Sequence, residues 1–360
     1  MWQPHRVGCS CGRASPPQQT RPQRDAFLDG VRLLATLRVL LFHLTEWRWW
    51  TALPVIPAMY LIAGSTFELS TFRRSSVHVA FSRLVTIGRA ALVYGVAVLA
   101  VMLAHGWGPS LTPKLSAQLL VPFLAPFGPG SHSSPGSMLW IHLWFLGTYG
   151  ISVALAPMLR PALRRSPQAV GVSLLLAWGV AVGLEDLGVV PRPMSNAVVV
   201  LALWSLGMYW YATGEDSEHQ RTIRCAVIVS IGSGVAWLAL RTTSLHDQVS
   251  LAAIACISVT LILVTHRFIA EKMHQLRHFE VVGWIVKRSL FIYLWQMIAI
   301  FWSRQIWPES SRLQHVCQIL IAIALTALCA EGAARLDAHL SALLPFLRDR
   351  LRAQPDADQI

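Results

Sequence analysis

Leu28-Asp29-Gly30-Val31-Arg32-Leu33-Leu34-Ala35-Thr36-Leu37-Arg38-Val39-Leu40-Leu41-Phe42-His43-Leu44-Thr45-Glu46 is an oily run interrupted by charge. Its length suits a bilayer-crossing helix, yet a charge at the centre of such a helix costs about 2.5–3.5 kcal/mol even on the mildest scales. On a helix turning about 100° per residue, Arg32 and His43 lie about 20° apart after three turns. Thr36 lies about 40° and Asp29 about 60° from Arg32, and Glu46 lies about 40° to the other side. Asp29, Arg32, Thr36, His43 and Glu46 therefore form one polar stripe, which must face a helix bundle or a wet cavity rather than lipid. Arg38 falls off the stripe and is expected against a polar group of another helix. The rise from Arg32 to His43 is about 16 Å. Arg32 near one edge suits a phosphate, and His43 deeper in suits a general base. An elongated donor with an anionic head and a reactive tip, such as a coenzyme A thioester, has the matching shape. A transporter's proton relay and a purely structural Arg–Asp or His–Glu pairing fit the same stripe.

The rest of the 360-residue chain repeats the oily theme. It is 54% hydrophobic and 13% charged, whereas soluble domains carry about 25% charge. Mean hydropathy is +0.49. Ten apolar spans are expected near 28–47, 52–69, 84–104, 139–159, 169–186, 196–213, 224–241, 249–266, 281–302 and 314–333. Backbone in lipid must satisfy its own hydrogen bonds, so each span should be helical, which makes the fold all-α and polytopic. Residues 1–25 lack an apolar signal-peptide core and read as a disordered basic cytoplasmic tail. A transmembrane domain over 26–333 and a cytoplasmic tail over 334–360 follow.

The net charge of +12 is distributed by topology. With the N-terminus inside, the inner segments hold Arg6, Arg13, Arg21, Arg24, Arg73, Arg74, Arg83, Arg160, Arg164, Arg165, Arg221, Arg224, Arg267, Lys272, Arg277, Arg335, Arg348, Arg350 and Arg352. The outer segments hold only Arg48, Lys114, Arg192, Arg241, Arg304 and Arg312. That bias places both termini in the cytoplasm. It also removes the case for nucleic acid, since no basic face stands clear of the membrane. The longest outer loop, about 105–138, carries Pro126-Phe127-Gly128-Pro129-Gly130 and is either a lid or a connector. Cys9 and Cys11 lie in the tail, and Cys225, Cys256, Cys317 and Cys329 lie in apolar runs as fillers, with no metal-like spacing. No phosphate-binding Gly loop or serine elbow is present.

Together these residues resemble the acyltransferase-3 family of bacterial integral-membrane O-acyltransferases. The resemblance rests on Leu28-Asp29 followed by Arg32, ten residues, and His43. It extends through Met59-Tyr60-Leu61-Ile62-Ala63-Gly64, Leu143-Trp144-Phe145-Leu146 and Ser289-Leu290-Phe291-Ile292-Tyr293-Leu294. The layout matches over about 26–333. Departures are Ala63 in place of a Ser, Gln296 where a His is common, and Arg83-Leu84-Val85-Thr86-Ile87-Gly88-Arg89 without the usual second Arg spacing or nearby Pro.

The resemblance implies transfer of an acyl group, with acetyl expected, from acyl-CoA as co-substrate to a hydroxyl of a carbohydrate, lipid-linked glycan or secondary metabolite. No bound cofactor or metal is expected. The plasma membrane is the expected location. His43 and Arg32 would be the catalytic pair. Arg83, Arg89 and Arg288 are candidates for the coenzyme A phosphates. Asp29, Glu46, Trp144, Tyr149, Tyr293 and Gln296 are candidates for the substrate cavity. Snorkelling explains Lys287 and Arg288 equally well, and Glu331 is expected to pair with an Arg. A transporter using the stripe as an ion path, and a non-catalytic scaffold suggested by Ala63 and Gln296, are the rival functions.

Overall fold

The computed structural model describes residues 26–45, 55–72, 74–107, 138–139, 143–187, 189, 192–212, 246–276, 279–306 and 312–352. Among the described residues the long elements are all helices: α1 (Ala26–Thr45), α2 (Val55–Thr71), α3 (Ser76–Ala104), α4 (Trp144–Arg165), α5 (Pro167–Asp186), α6 (Arg192–Ala212), α7 (His246–Leu276), α8 (Glu280–Ile306) and α9 (Arg312–Arg352). They correspond in order to nine of the ten expected spans. The expected span at 224–241, the tail 1–25 and most of the 105–138 loop lie outside the described residues.

Four boundaries are corrected. α3 starts at Ser76, eight residues before the expected 84. α4 runs through Pro157 and Pro161 to Arg165, six residues past the expected end at 159. A proline removes one helix hydrogen bond without ending the helix when its surroundings hold the backbone in place. α7 continues ten residues past the expected end at 266, to Leu276. α9 also continues past the expected span end at 333, to Arg352. Arg335 bonds to Glu331 one turn back, and Asp337 takes the guanidinium of Arg89 on α3. The Arg89–Asp337 pair ties the helix to α3 past the apolar stretch.

Local chemistry starts the helices where it should. Ser75 caps α3 by accepting from the His78 amide, and Ser166 caps α5 by accepting from the Ala169 amide, with Pro167 at the first helical position. Each cap satisfies an amide that the helix itself leaves open.

Four of the described helices are long and apolar enough to cross a membrane: α3, α5, α8 and Gln314–Ala342 within α9. α5 buries none of its residues and exposes Val172, Leu175, Leu176 and Val180. So large an apolar face on the outside of a helix is suited to lipid, not water. The protein is of the membrane type.

The core forms where α1, α2, α3, α4, α6 and α8 meet. α2 and α6 cross with their backbones nearly touching. A Cβ at Gly64 would strike the carbonyl oxygen of Trp204, and one at Gly207 would strike that of Leu61. Ser65 Oγ stands 3.0 Å from the carbonyl oxygens of both Leu61 and Gly207. Small residues that admit close backbone approach, with a hydroxyl as glue, are the usual device for joining helices in lipid. This crossing fixes the floor of the site.

Candidate active site

α1 is one unbroken helix from Ala26 to Thr45, so Arg32 and His43 share a face. Leu34, the exposed position of α1 at 50%, lies about 160° from Arg32 and 180° from His43. The stripe therefore turns away from the lipid side and towards α2, α7 and α8, on which α1 packs. Asp29 and Thr36 are buried, whereas Arg32 and His43 are partly buried. Arg32 pairs with Asp29 at 3.8 Å, and Thr36 donates back to the Arg32 carbonyl at 2.8 Å. The His43 ring meets Phe42 edge to face at 5.2 Å. Arg38 places its guanidinium 5.1 Å from the centre of the Phe42 ring. Glu46 lies outside the described residues.

A second group of predicted residues converges on Phe145. Its ring centre lies 4.8 Å from Tyr60, 5.1 Å from Tyr293 and 6.2 Å from Tyr149. Tyr149 packs on Trp204 at 5.1 Å, and Trp204 on Phe67 at 6.1 Å. Tyr60 donates to the Phe145 carbonyl at 3.1 Å and pairs with the Thr148 hydroxyl. Tyr94 donates to the Leu139 carbonyl at 2.7 Å and packs edge-on against Trp295. Four helices thus lend rings to one continuous column, and Tyr94 of α3 joins from the side. Trp144's side chain lies outside what is described.

Beside Tyr293, Gln296 is 1% exposed. Neither its amide nitrogen nor its amide oxygen has a hydrogen-bond partner among the described residues. The indole N–H groups of Trp295 and Trp204 and the hydroxyl of Ser205 share this condition. Each unsatisfied buried group costs about 1–3 kcal/mol, so such a set calls for a polar occupant.

Each of the three arginines expected to hold phosphates already bonds within the protein. Arg83 donates to the carbonyls of Ala63 and Thr66 and to Ser70 Oγ, at 3.3, 2.7 and 3.0 Å, and lies over the Phe67 ring. It seals the end of α2. Arg89 makes a bidentate pair with Asp337 at 2.9 and 3.2 Å. Arg288 donates to Glu331 at 3.1 Å, and Trp284 and Arg335 bind the same carboxylate. Glu331 thus has the arginine partner expected for it.

Sequence reasoning missed a charged cluster at the end of α2. Glu68, 7% exposed, accepts from Arg160 at 2.8 and 3.0 Å and from Arg164 at 2.7 Å. The cluster opens into a cavity of about 410 Å³. The signal was an acid in the last turn of an apolar span, which lipid penalises unless it is paired. Tyr60, Tyr94 and Phe145 were missed as site residues because nothing in one sequence says which aromatics meet. Among the described residues no His, Cys, Asp and Glu group could hold a metal, and Cys256, Cys317 and Cys329 are free thiols.

A helical membrane protein with a polar stripe and a ring-lined, polar-needy centre is a plausible frame for group transfer inside a bilayer. The sequence profile of the acyltransferase-3 family, described as an acyltransferase domain, matches residues 25–331. The chain belongs to that family and is an acyltransferase. No curated protein and no solved structure matches it.

Proposed function

We propose that the protein is a multi-pass plasma-membrane O-acyltransferase that moves an acyl group, with acetyl first in line, from acyl-CoA to a hydroxyl on a carbohydrate, lipid-linked glycan or secondary metabolite. Both termini face the cytoplasm in this reading. What carries it is the inward-facing Asp29–Arg32–His43 stripe on an unbroken α1, inside a matched acyltransferase domain.

In this mechanism His43 accepts the proton of the acceptor hydroxyl as its oxygen attacks the thioester carbonyl. The new C–O bond forms, the C–S bond breaks, and the coenzyme A thiolate leaves and takes up a proton. A positioned base of this kind contributes about 10²–10⁴-fold. Arg32, held by Asp29, orients the donor or the base. Gln296 offers one donor and one acceptor to the substrate, and the rings of Tyr149 and Tyr293 supply faces for a sugar or acyl chain.

The test is thiol release by the purified protein given acetyl-CoA, with and without a membrane glycan or lipid extract. Extract-dependent release that falls at least 100-fold in His43→Ala, with the helical circular dichroism unchanged, is the expected result. A folded wild type that releases no thiol from acetyl-CoA or longer acyl-CoAs would return the stripe to an ion path or a scaffold.

A further inference from the structure

We propose that the cavity framed by Glu68, Arg160 and Arg164 holds the phosphate-bearing end of the coenzyme A donor. The inference rests on the acyl-CoA reading above and gives that donor a place.

The cavity lies where one end of each of α2, α4 and α6 meets the start of α5. Glu68, Arg160, Arg164, Pro167, Met208 and Tyr209 are among its walls. One carboxylate is shared by two guanidinium groups, so the cluster keeps a net positive charge, and Arg165 follows directly in sequence. Glu68 takes Nε and one terminal nitrogen of Arg160 but a single terminal nitrogen of Arg164. Arg164's side chain is 57% exposed, against 21% for Arg160. Arg160 is therefore the fixed post, and Arg164 has donors to spare for a ligand. A guanidinium fork matches phosphate oxygens in geometry as well as charge. Pro167 brings the N-terminus of α5 to the wall, and that end of a helix favours an anion.

A second observation points the same way. On α6, Ser205 and Trp204 sit one turn from Tyr209 and Met208, which line the cavity. Both are buried, and Ser205 Oγ and Trp204 Nε1 lack partners among the described residues. Trp204 packs on Tyr149, whose ring meets Phe145, and Phe145 in turn meets Tyr293. The amides of a pantetheine arm would satisfy groups of this kind. From Arg160 to Phe145 along α4 the rise is about 22 Å, the order of length that such an arm bridges. The thioester would then arrive beside Tyr293 and Gln296.

The experiment compares acetyl-CoA with acetyl-pantetheine, which lacks the nucleotide and its phosphates, as donors for full-length protein in nanodiscs. Arg164→Gln removes one charged hydrogen-bond donor set from a half-exposed residue, so folding is not at risk. The expected result is an acetyl-CoA KM raised about tenfold with kcat kept, no change with acetyl-pantetheine, and partial rescue by Arg164→Lys. An unchanged acetyl-CoA KM in Arg164→Gln overturns the site while leaving the acyl-CoA reaction intact. Coenzyme A that binds the wild type by calorimetry and binds Arg164→Gln tenfold more weakly, with no turnover of either donor, upholds the site and overturns the reaction. A KM effect seen in anionic-lipid nanodiscs and lost in zwitterionic ones assigns the arginines to an anionic lipid headgroup and overturns the donor assignment.

Discussion

Along the ring column, the charged groups at the Glu68 end and the neutral amide at the Gln296 end are treated in opposite ways. At the Glu68 end every carboxylate oxygen is taken: Arg160 and Arg164 both bind it, and Arg83 nearby is spent on α2 carbonyls. At the Gln296 end the amide is buried with neither atom bonded among the described residues. Charges cannot be left alone in a low-dielectric interior, so the fold pairs them and in doing so ties three helices together. Neutral amides and indoles cost less when unpaired, so they can be left waiting for a ligand. The Glu68 carboxylate holds helices together, whereas the neutral groups, Gln296 at one end and Trp204 and Ser205 near the other, stay available.

That contrast can be broken by substitution. The largest stability effect is expected at Glu68. Glu68→Gln leaves Arg160 and Arg164 without their shared counter-charge. Because Arg164 is half exposed, the cost should fall at about 2 kcal/mol, below that for a fully buried pair. Thermal unfolding in detergent checks this, and a midpoint equal to wild type would mean the cluster ties nothing together.

Gln296→Leu should behave in the reverse way. It removes two unpaired atoms from a buried position, so the melting temperature should hold or rise. Thiol release with acceptor present should drop about tenfold if the amide binds the substrate. Lost stability with full activity would make Gln296 a packing residue. The smallest effect is expected at Arg335, whose side chain is 74% exposed beside Glu331. Arg335→Ala should leave both the melting temperature and the thiol release at wild-type levels, because solvent screens the pair and Arg288 still binds the carboxylate. A measurable loss of either would show that the α9 extension is anchored through it.

Much of this was legible beforehand where it depends on local order along the chain. Apolar length alone placed α2, α5, α6 and α8 to within a few residues, because a helix in a bilayer satisfies its own backbone and its apolar length shows in its composition. The stripe was legible because helical periodicity converts spacing into angle, and the exposed Leu34 on the opposite side agrees with it. Boundaries failed where tertiary contact decides them. α9 runs on because Arg89 reaches Asp337 from a helix 248 positions away in sequence.

The chain's own order of residues determined the helices, the membrane character and the facing of Arg32 and His43, since each follows from repeat and hydropathy within one segment. Only the tertiary structure decided which arginines are spoken for, which rings meet at Phe145, and that Glu68 gathers Arg160 and Arg164 around a cavity. Those facts depend on how separate helices cross, at Gly64 against Trp204 and Gly207 against Leu61, and a crossing is a property of two surfaces together.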